Sequence, residues 1–341
     1  MRRIFFAAIK ILLIVTSFSA CSKEEESSGT PEKVYISVLF TPESFCNIGY
    51  NDSTLIAIET LSQKYGYEYS FSIPETLENG MEYYNDWLNA ELDDNTRCLF
   101  IFASSLYEEL LADAPHPTDD PRRDVLIFEV GKELPYAYTF AMSYYGASYM
   151  IGSFYLNIDD IDYQIIAANE YLEGLRYVID GFTDVTEDMA IGSVNISYLA
   201  NTPSGGLDDP NLAFIACKQS DYNIPNNFDI FIPYAGLSNL GVYRFSESNH
   251  QIAVGVDYID PDLFNYTPLC MNKRMDLALD NFLNLWIEGQ EPPRHTFYTL
   301  ESGVVCVDLS NSFELDINID SLRKQAIDKE KTYFSEHRAN E

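Results

Sequence analysis

The stretch Asp229-Ile230-Phe231-Ile232-Pro233, followed by Tyr234-Ala235-Gly236-Leu237-Ser238-Asn239-Leu240-Gly241-Val242 and then by Ile252-Ala253-Val254-Gly255-Val256-Asp257, decides the reading of this chain. A short apolar run reads as a buried strand, the small-residue loop opens a helix, and a second apolar run follows. Strand, helix, strand is a right-handed crossover between parallel strands. The N–H groups at a helix start suit ligand oxygens, and Asp257, at the carboxyl end of a strand, can accept hydrogen bonds from hydroxyls. Ligands of such sheets bind at the carboxyl ends of the strands.

Outward from there the alternation continues in both directions. Strands are expected at Val34–Phe40, Tyr67–Ile73, Cys98–Ala103, Val125–Val130 and Ala137–Phe140, with helices at Ser53–Tyr65, Met81–Leu92 and Leu106–Ala112. Leu55, Ile58, Leu61 and Tyr65 recur at helical spacing, and Gly66 sits where a left-handed cap belongs. A second series has strands at Tyr163–Ala167, Ala190–Tyr198, Ile230–Pro233 and Ile252–Val256, and helices at Glu170–Ile179, Asp209–Lys218 and Asn239–Phe245. A long helix at Met271–Trp286, strands at Phe297–Leu300 and Val304–Val307, and a charged helix at Ile319–Arg338 complete the pattern. The fold class is α/β, with two doubly wound parallel-sheet lobes joined by a hinge. Residues 34–142 plus 262–290 are expected in the first lobe, and 143–261 plus 291–341 in the second. The site is expected in the cleft between them.

Composition narrows the function. The 341 residues carry 21 Lys and Arg against 53 Asp and Glu, a net charge of −32. Such a surface repels phosphate backbones and argues against nucleic-acid binding. The 25 Tyr and 21 Phe supply rings for a small-molecule pocket as well as for a core. No phosphate loop, dinucleotide fingerprint or nucleophile elbow occurs, and His116, His250, His295 and His337 are scattered. Neither an enzyme, a cofactor nor a metal site is therefore expected. Asp316-Ile317-Asn318-Ile319-Asp320 lacks the Gly and Glu of a calcium loop. Cys46, Cys98, Cys217, Cys270 and Cys306 read as small apolar fillers, and their spacing leaves any disulfide pairing open.

The N-terminus reads as an address. Arg2 and Arg3 precede a mostly apolar run, Ile4 to Ser19, which ends in Phe18-Ser19-Ala20-Cys21. These residues resemble a bacterial lipobox, with Phe18 in place of the usual Leu. The resemblance implies cleavage after residue 20, acylation of Cys21 by palmitate-type chains, and anchoring in a lipid bilayer of the cell envelope. Residues 21–33 read as a solvated acidic tether, Ser22-Lys23-Glu24-Glu25-Glu26-Ser27-Ser28 leading it. This run is similar to the one that follows the cysteine in surface-exposed lipoproteins of the Bacteroides group, which implies the outer membrane and surface display. A plain linker is the simpler reading.

Gly205-Gly206-Leu207-Asp208-Asp209-Pro210, Asp229, Ala235-Gly236, Leu240-Gly241-Val242 and Gly255-Val256-Asp257 together resemble the basic membrane protein family. These are type 1 periplasmic-binding-protein-like lipoproteins, several of which bind purine nucleosides for ABC importers. Cys270-Met271-Asn272-Lys273-Arg274-Met275-Asp276 is similar to that family's Ser-x-x-Lys-Arg-x-Asp helix start, Tyr298 to Val307 to its closing strand pair, Gly49-Tyr50-Asn51-Asp52-Ser53 to its first loop, and Tyr136 to Gly152 to its crossover. The resemblance spans residues 34 to 310 in matching order. It implies a pocket in which Tyr50 stacks on a ligand base, Asn51 bonds to it, and Asp257 and Lys273 hold a ribose near Gly236; Ser238 and Asn169 complete the candidate set. Asn51 also suits a helix cap, and Lys273 a solvated helix start. The departures lie at predicted pocket walls: Pro233-Tyr234 and Leu237-Ser238-Asn239 are bulky, Ser143-Tyr144-Tyr145 replaces a Glu before the crossover glycine, and Ala167-Ala168-Asn169 replaces Gly-Gly. The expected function is capture of a small polar ligand, such as a nucleoside, in partnership with an ABC-type permease. The alternative is a surface-displayed interaction protein on a degenerate binding fold without a small-molecule ligand.

Overall fold

A computed structural model describes residues 33–42, 49–223, 230–257, 264–310 and 318–337. The signal segment, Cys21, the tether and Cys46 lie outside them. The first lobe is a six-stranded, wholly parallel sheet. It takes strands β1 (Lys33–Leu39), β2 (Glu68–Ser72), β3 (Thr96–Phe102), β4 (Arg123–Phe128), β5 (Tyr138–Met142) and, from far downstream, β12 (His295–Tyr298), in the order β12-β5-β4-β3-β1-β2. Helices α1 (Tyr50–Tyr65), α2 (Leu77–Asn89) and α3 (Glu108–Ala112) are its crossovers. Both faces are covered, which is why its strands read as continuous apolar runs. Leu99 and Ile101 pack on one side with Ile36, Val38 and Phe128, while Phe100 and Phe102 pack on the other with Tyr84 and Tyr107.

The second lobe repeats the plan. Strands β6 (Asp162–Ala167), β7 (Ser193–Tyr198), β8 (Ile230–Tyr234) and β9 (Ile252–Ala253) form a parallel sheet in the order β7-β6-β8-β9. Helices α4 (Tyr145–Leu156) and α5 (Leu175–Met189) are also here. On their side, Phe154, Val178 and Phe182 share a core with Ile165 and Ile232. Helices α6 (Pro210–Asn223) and α7 (Asn239–Asn249) cover the opposite face, where Ala213, Cys217 and Phe245 meet Ile166 and Phe231. From β9 the chain runs on into β10 (Gly255–Asp257), the Val254 N–H between them donating to Phe231 O at 2.8 Å. β10 pairs parallel with β11 (Leu269–Lys273), and β11 pairs antiparallel with β13 (Val305–Leu309). Helix α8 (Met275–Ile287) returns to the first lobe, where Asp280 meets Lys64 Nζ at 2.5 Å and the Tyr65 hydroxyl at 2.7 Å. Helix α9 (Ile319–His337) packs on α4. The chain thus passes between the lobes at Ser143–Tyr144, at Arg274, and between Tyr298 and Val305.

Several expectations are corrected. The later two exchanges fall after 273 and after 298, not at 262 and 291, because β11 pairs with β10 and β13 in a separate three-stranded sheet that continues the second lobe, and β12 pairs with β5 of the first. The helix expected from Met271 begins at Met275, since Leu269–Lys273 is a strand buried along its whole length. The two closing strands do not pair with each other; each joins a different sheet. The helix expected at Glu170–Ile179 starts at Leu175, leaving Glu170–Gly174 as a loop. Helix α1 begins three residues early, because Asp52 reaches back to the Gly49 N–H at 3.1 Å. Helix α2 begins at Leu77, where Thr76 accepts the Asn79 N–H at 3.2 Å. Helix α4 had no expected helix at all; all twelve of its residues are buried, so no polar face betrays its period. It also lies very close to α5, where a Cβ on Gly181 would meet Tyr145 O at 2.5 Å. Cys98, Cys217 and Cys270 are buried, and Cys306 is half-buried.

One buried acid ties two inter-lobe passages together. Glu330 of α9 accepts the Gly146 N–H at 3.2 Å, just past the first passage, and the Leu300 N–H at 3.0 Å, within the third. Burial pushes its carboxyl up to about 7 from 4.5, although the two N–H groups pull the other way. In the unfolded chain this group ionises near 4.5, so between pH 4.5 and about 7 the folded state binds more protons. Stability therefore falls as pH rises through that window, by about 3 kcal/mol in total for this group. Denaturant unfolding of wild type and Glu330→Ala should show their stability difference shrinking by that order from pH 4.5 to 7.5; a difference independent of pH would contradict it.

Candidate functional site

The carboxyl ends of strands from both lobes converge on one cavity of about 100 Å³. From the first lobe come Thr41 after β1, Tyr50 and Asn51 at the start of α1, Ser104 and Ser105 after β3, and Glu129 after β4. From the second come Glu173 and Gly174 after β6, Leu207 after β7, Tyr234 to Gly236 at the end of β8, and Asp257 closing β10. Lys273, the last residue of β11, enters beside the hinge passage. This is where parallel sheets place ligands, here from two sides at once.

Lys273 is the centre of the site. Its side chain is only 5% exposed, and Nζ lies 3.1 Å from Glu129 Oε1 and 3.9 Å from Asp257 Oδ1. Nζ also stands 4.9 Å from the Tyr144 ring centroid, 5.1 Å from that of Tyr50 and 6.0 Å from that of Tyr234. The Tyr144 hydroxyl donates to Asp257 Oδ1 at 3.2 Å. Burial acts to lower the Lys273 pKa, but the charges of Glu129 and Asp257 and the neighbouring Tyr234 outweigh it and hold it well above its ordinary value. Burial first, and then the same carboxylates, drive the Tyr50 and Tyr144 phenols well upward. At neutral pH the site is thus an ammonium facing carboxylates, ringed by neutral phenols. Glu129 and Asp257 both adopt left-handed backbone conformations, with φ of 60° and 74°. Such geometry costs a non-glycine residue about 1 kcal/mol or more, and it collects at functional sites. Glu129 Oε1 is buried against Lys273 Nζ, and the Tyr50 hydroxyl is buried beside Glu129.

Of the residues singled out in the sequence, Tyr50, Asn51, Gly236, Asp257 and Lys273 line the cavity. Asn51 is not the helix cap, since Asp52 does that work, and its Nδ2 donates to Thr41 Oγ1 at 3.3 Å. Asn169 and Ser238 do not line it. Asn169 donates to Pro203 O and Gly205 O and accepts the Tyr171 N–H, while Ser238 donates to Gly206 O and accepts the Asp209 N–H. Their bonds are spent on the loop that carries Leu207, so they shape a wall from behind. The sequence reading missed Glu129 and Glu173 as site residues; it set Tyr144 and Tyr234 at the pocket walls without giving them a role. Glu129 had a usable signal: it is an acid directly after the buried run Val125–Phe128, at a strand's carboxyl end. Among the described residues no group of His, Cys, Asp and Glu is arranged to hold a metal, and no helix is long and apolar enough to cross a membrane.

Two doubly wound lobes with an inter-lobe cleft define the type 1 periplasmic-binding-protein-like fold. No family model matches the sequence, and no curated protein does. Among solved structures, an ABC transporter solute-binding protein from Aeropyrum pernix K1 superposes with a TM-score of 0.67 at 14% identity, over 88% of this chain and 86% of that one. A transcriptional activator of the comK gene from Bacillus halodurans gives 0.62 at 15% identity, over 88% and 97%. A periplasmic ribose ABC transporter protein from Conexibacter woesei gives 0.58 at 12% identity, over 87% and 96%. At these identities the likeness establishes the fold.

Removing one partner of a buried ion pair strands the other charge. Lys273→Ala should lower the unfolding free energy by about 3–5 kcal/mol, and Lys273→Met combined with Glu129→Gln should recover much of it. Denaturant titration reads both; a loss below about 1 kcal/mol for Lys273→Ala would show the cluster to be wet and loosely held.

Proposed function

We propose that this protein is a solute-binding lipoprotein that captures a small polar ligand between its lobes, for import through an ABC-type permease or for sensing. The observation that carries the reading is the meeting of Lys273, Asp257 and Glu129 with tyrosine faces in a cavity walled by both lobes. Such a site holds hydroxyl-bearing guests by hydrogen bonds and rings by stacking, and a wrong guest leaves buried polar atoms unpaired. Two of the similar structures, an ABC transporter solute-binding protein and a periplasmic ribose ABC transporter, support the role. The residue pattern from 34 to 310 supports kinship with the basic membrane protein family, and with it a nucleoside as guest. The lipobox-like run before Cys21 supports an acyl anchor in the cell envelope.

A second reading keeps one observation on its side. The cavity, about 100 Å³, is small beside the usual several hundred for organic ligands, and the protein's own ammonium occupies its centre. A cleft filled largely by its own side chains would suit a surface-displayed interaction protein.

Thermal melting separates the two. Guests tested are adenosine, guanosine, ribose, glucose and their simple derivatives. A true ligand at one hundred times its dissociation constant adds about 2.7 kcal/mol and raises the melting temperature; no shift with any of them favours the second reading. For the anchor, Cys21→Ser should move the protein from the membrane to the soluble fraction and abolish labelling by palmitate. Unchanged fractionation and labelling would remove the lipoprotein assignment.

A further inference from the structure

The cavity's charges do not balance. The described residues that line it include three acids, Glu129, Glu173 and Asp257, against one ammonium, that of Lys273. Lys273 is already engaged by Glu129 and Asp257. Glu173, from the second lobe, accepts the Gly131 N–H of the first lobe at 3.1 Å and makes no ion pair. We propose, resting on the solute-binding reading, that the guest is a small cationic amine bearing hydroxyl groups, of which an amino sugar is the simplest case. Its ammonium sits against Glu173, and its hydroxyls meet Thr41, Asn51 and Asp257.

Three independent features support this class. Glu173 is half-buried, and Arg176 and Lys132, the cations that act on it, do not line the cavity, so an ammonium guest supplies a partner on the cavity side. Burial, with Glu108 and Glu129 adding to it, raises the Glu173 pKa, although Arg176 one turn further on lowers it; an approaching ammonium reverses that shift. The phenol faces of Tyr50, Tyr144 and Tyr234 already surround one ammonium, so the wall is of a chemistry that accepts cations. At longer range, a chain of net charge −32 draws cations toward its cleft and turns anions away. Phosphorylated or carboxylated sugars meet like charge and are refused.

Calorimetric titration of the full chain with glucosamine, glucose and gluconate tests the proposal. Glucosamine should bind at least about tenfold tighter than glucose, a difference of about 1.4 kcal/mol, and gluconate should give no measurable binding. Glu173→Gln should remove the preference for glucosamine over glucose, and a circular dichroism spectrum and melting curve like those of wild type show that the variant is folded. Equal or tighter binding of glucose, or a glucosamine preference that survives Glu173→Gln, overturns the proposal. Binding of a nucleoside without any binding of glucosamine overturns the amine class and leaves the solute-binding reading standing. Silence of all the sugars and of the nucleosides counts against both.

Discussion

An ammonium withdrawn from water is the constraint around which the cleft is arranged. Lys273 is almost wholly buried, and an uncompensated charge there would cost several kcal/mol. Compensation comes from two carboxylates on separate lobes: Glu129 follows β4 of the first, and Asp257 closes β10 of the second. Both hold strained left-handed backbones to present their oxygens. The relative position of the lobes and the charge state of the site therefore depend on one another. Moving the lobes apart would part Glu129 from Lys273, and neutralising either would loosen what holds them together.

The passages between the lobes are organised around the same point. Lys273 immediately precedes the passage at Arg274, Tyr144 sits on the one at Ser143–Tyr144, and Glu330 joins that passage to the third through two backbone N–H groups. Hinge motion in two-lobed binders is absorbed by a few residues at element ends. Here those residues are also in contact with the site or one turn from it. A guest that alters the contacts of Lys273 or Tyr144 acts on the hinge directly. Glu173, whose carboxylate takes a first-lobe N–H from a second-lobe loop, adds a contact that exists only when the lobes face each other.

Much of this was legible in the residues, and the illegible part has physical causes. Parallel strands buried on two faces are apolar runs, so β1, β3, β4, β6 and β8 stand out without any alignment. Gly66, in the left-handed conformation with φ of 75°, ends α1 as its position suggests. Helix α4 escaped because burial on every side erases helical periodicity, and β11 was merged into α8 because a short buried strand and a buried helix start look alike in sequence. The site was half legible. Tyr50, Asn51, Gly236, Asp257 and Lys273 were named through the resemblance to the basic membrane protein family's motifs, and of these Asp257 was also marked by its place at the carboxyl end of a strand. Glu129 as the partner of Lys273, and Glu173 as the acceptor of the Gly131 N–H, were invisible because contacts across a cleft depend on how two lobes meet, which no local pattern records. Asn169 and Ser238 look like ligand groups in sequence, yet the backbone of the loop before α6 claims their hydrogen bonds.

A crystal structure of the protein grown with a guest that raises its melting temperature addresses the central claim most directly. The account predicts electron density between the lobes, with polar atoms of the guest within hydrogen-bond distance of Asp257 or Glu129 and with Lys273 still held between those carboxylates. A guest seated away from the cleft, or a Lys273 side chain turned out into solvent with the two carboxylates apart, would contradict it.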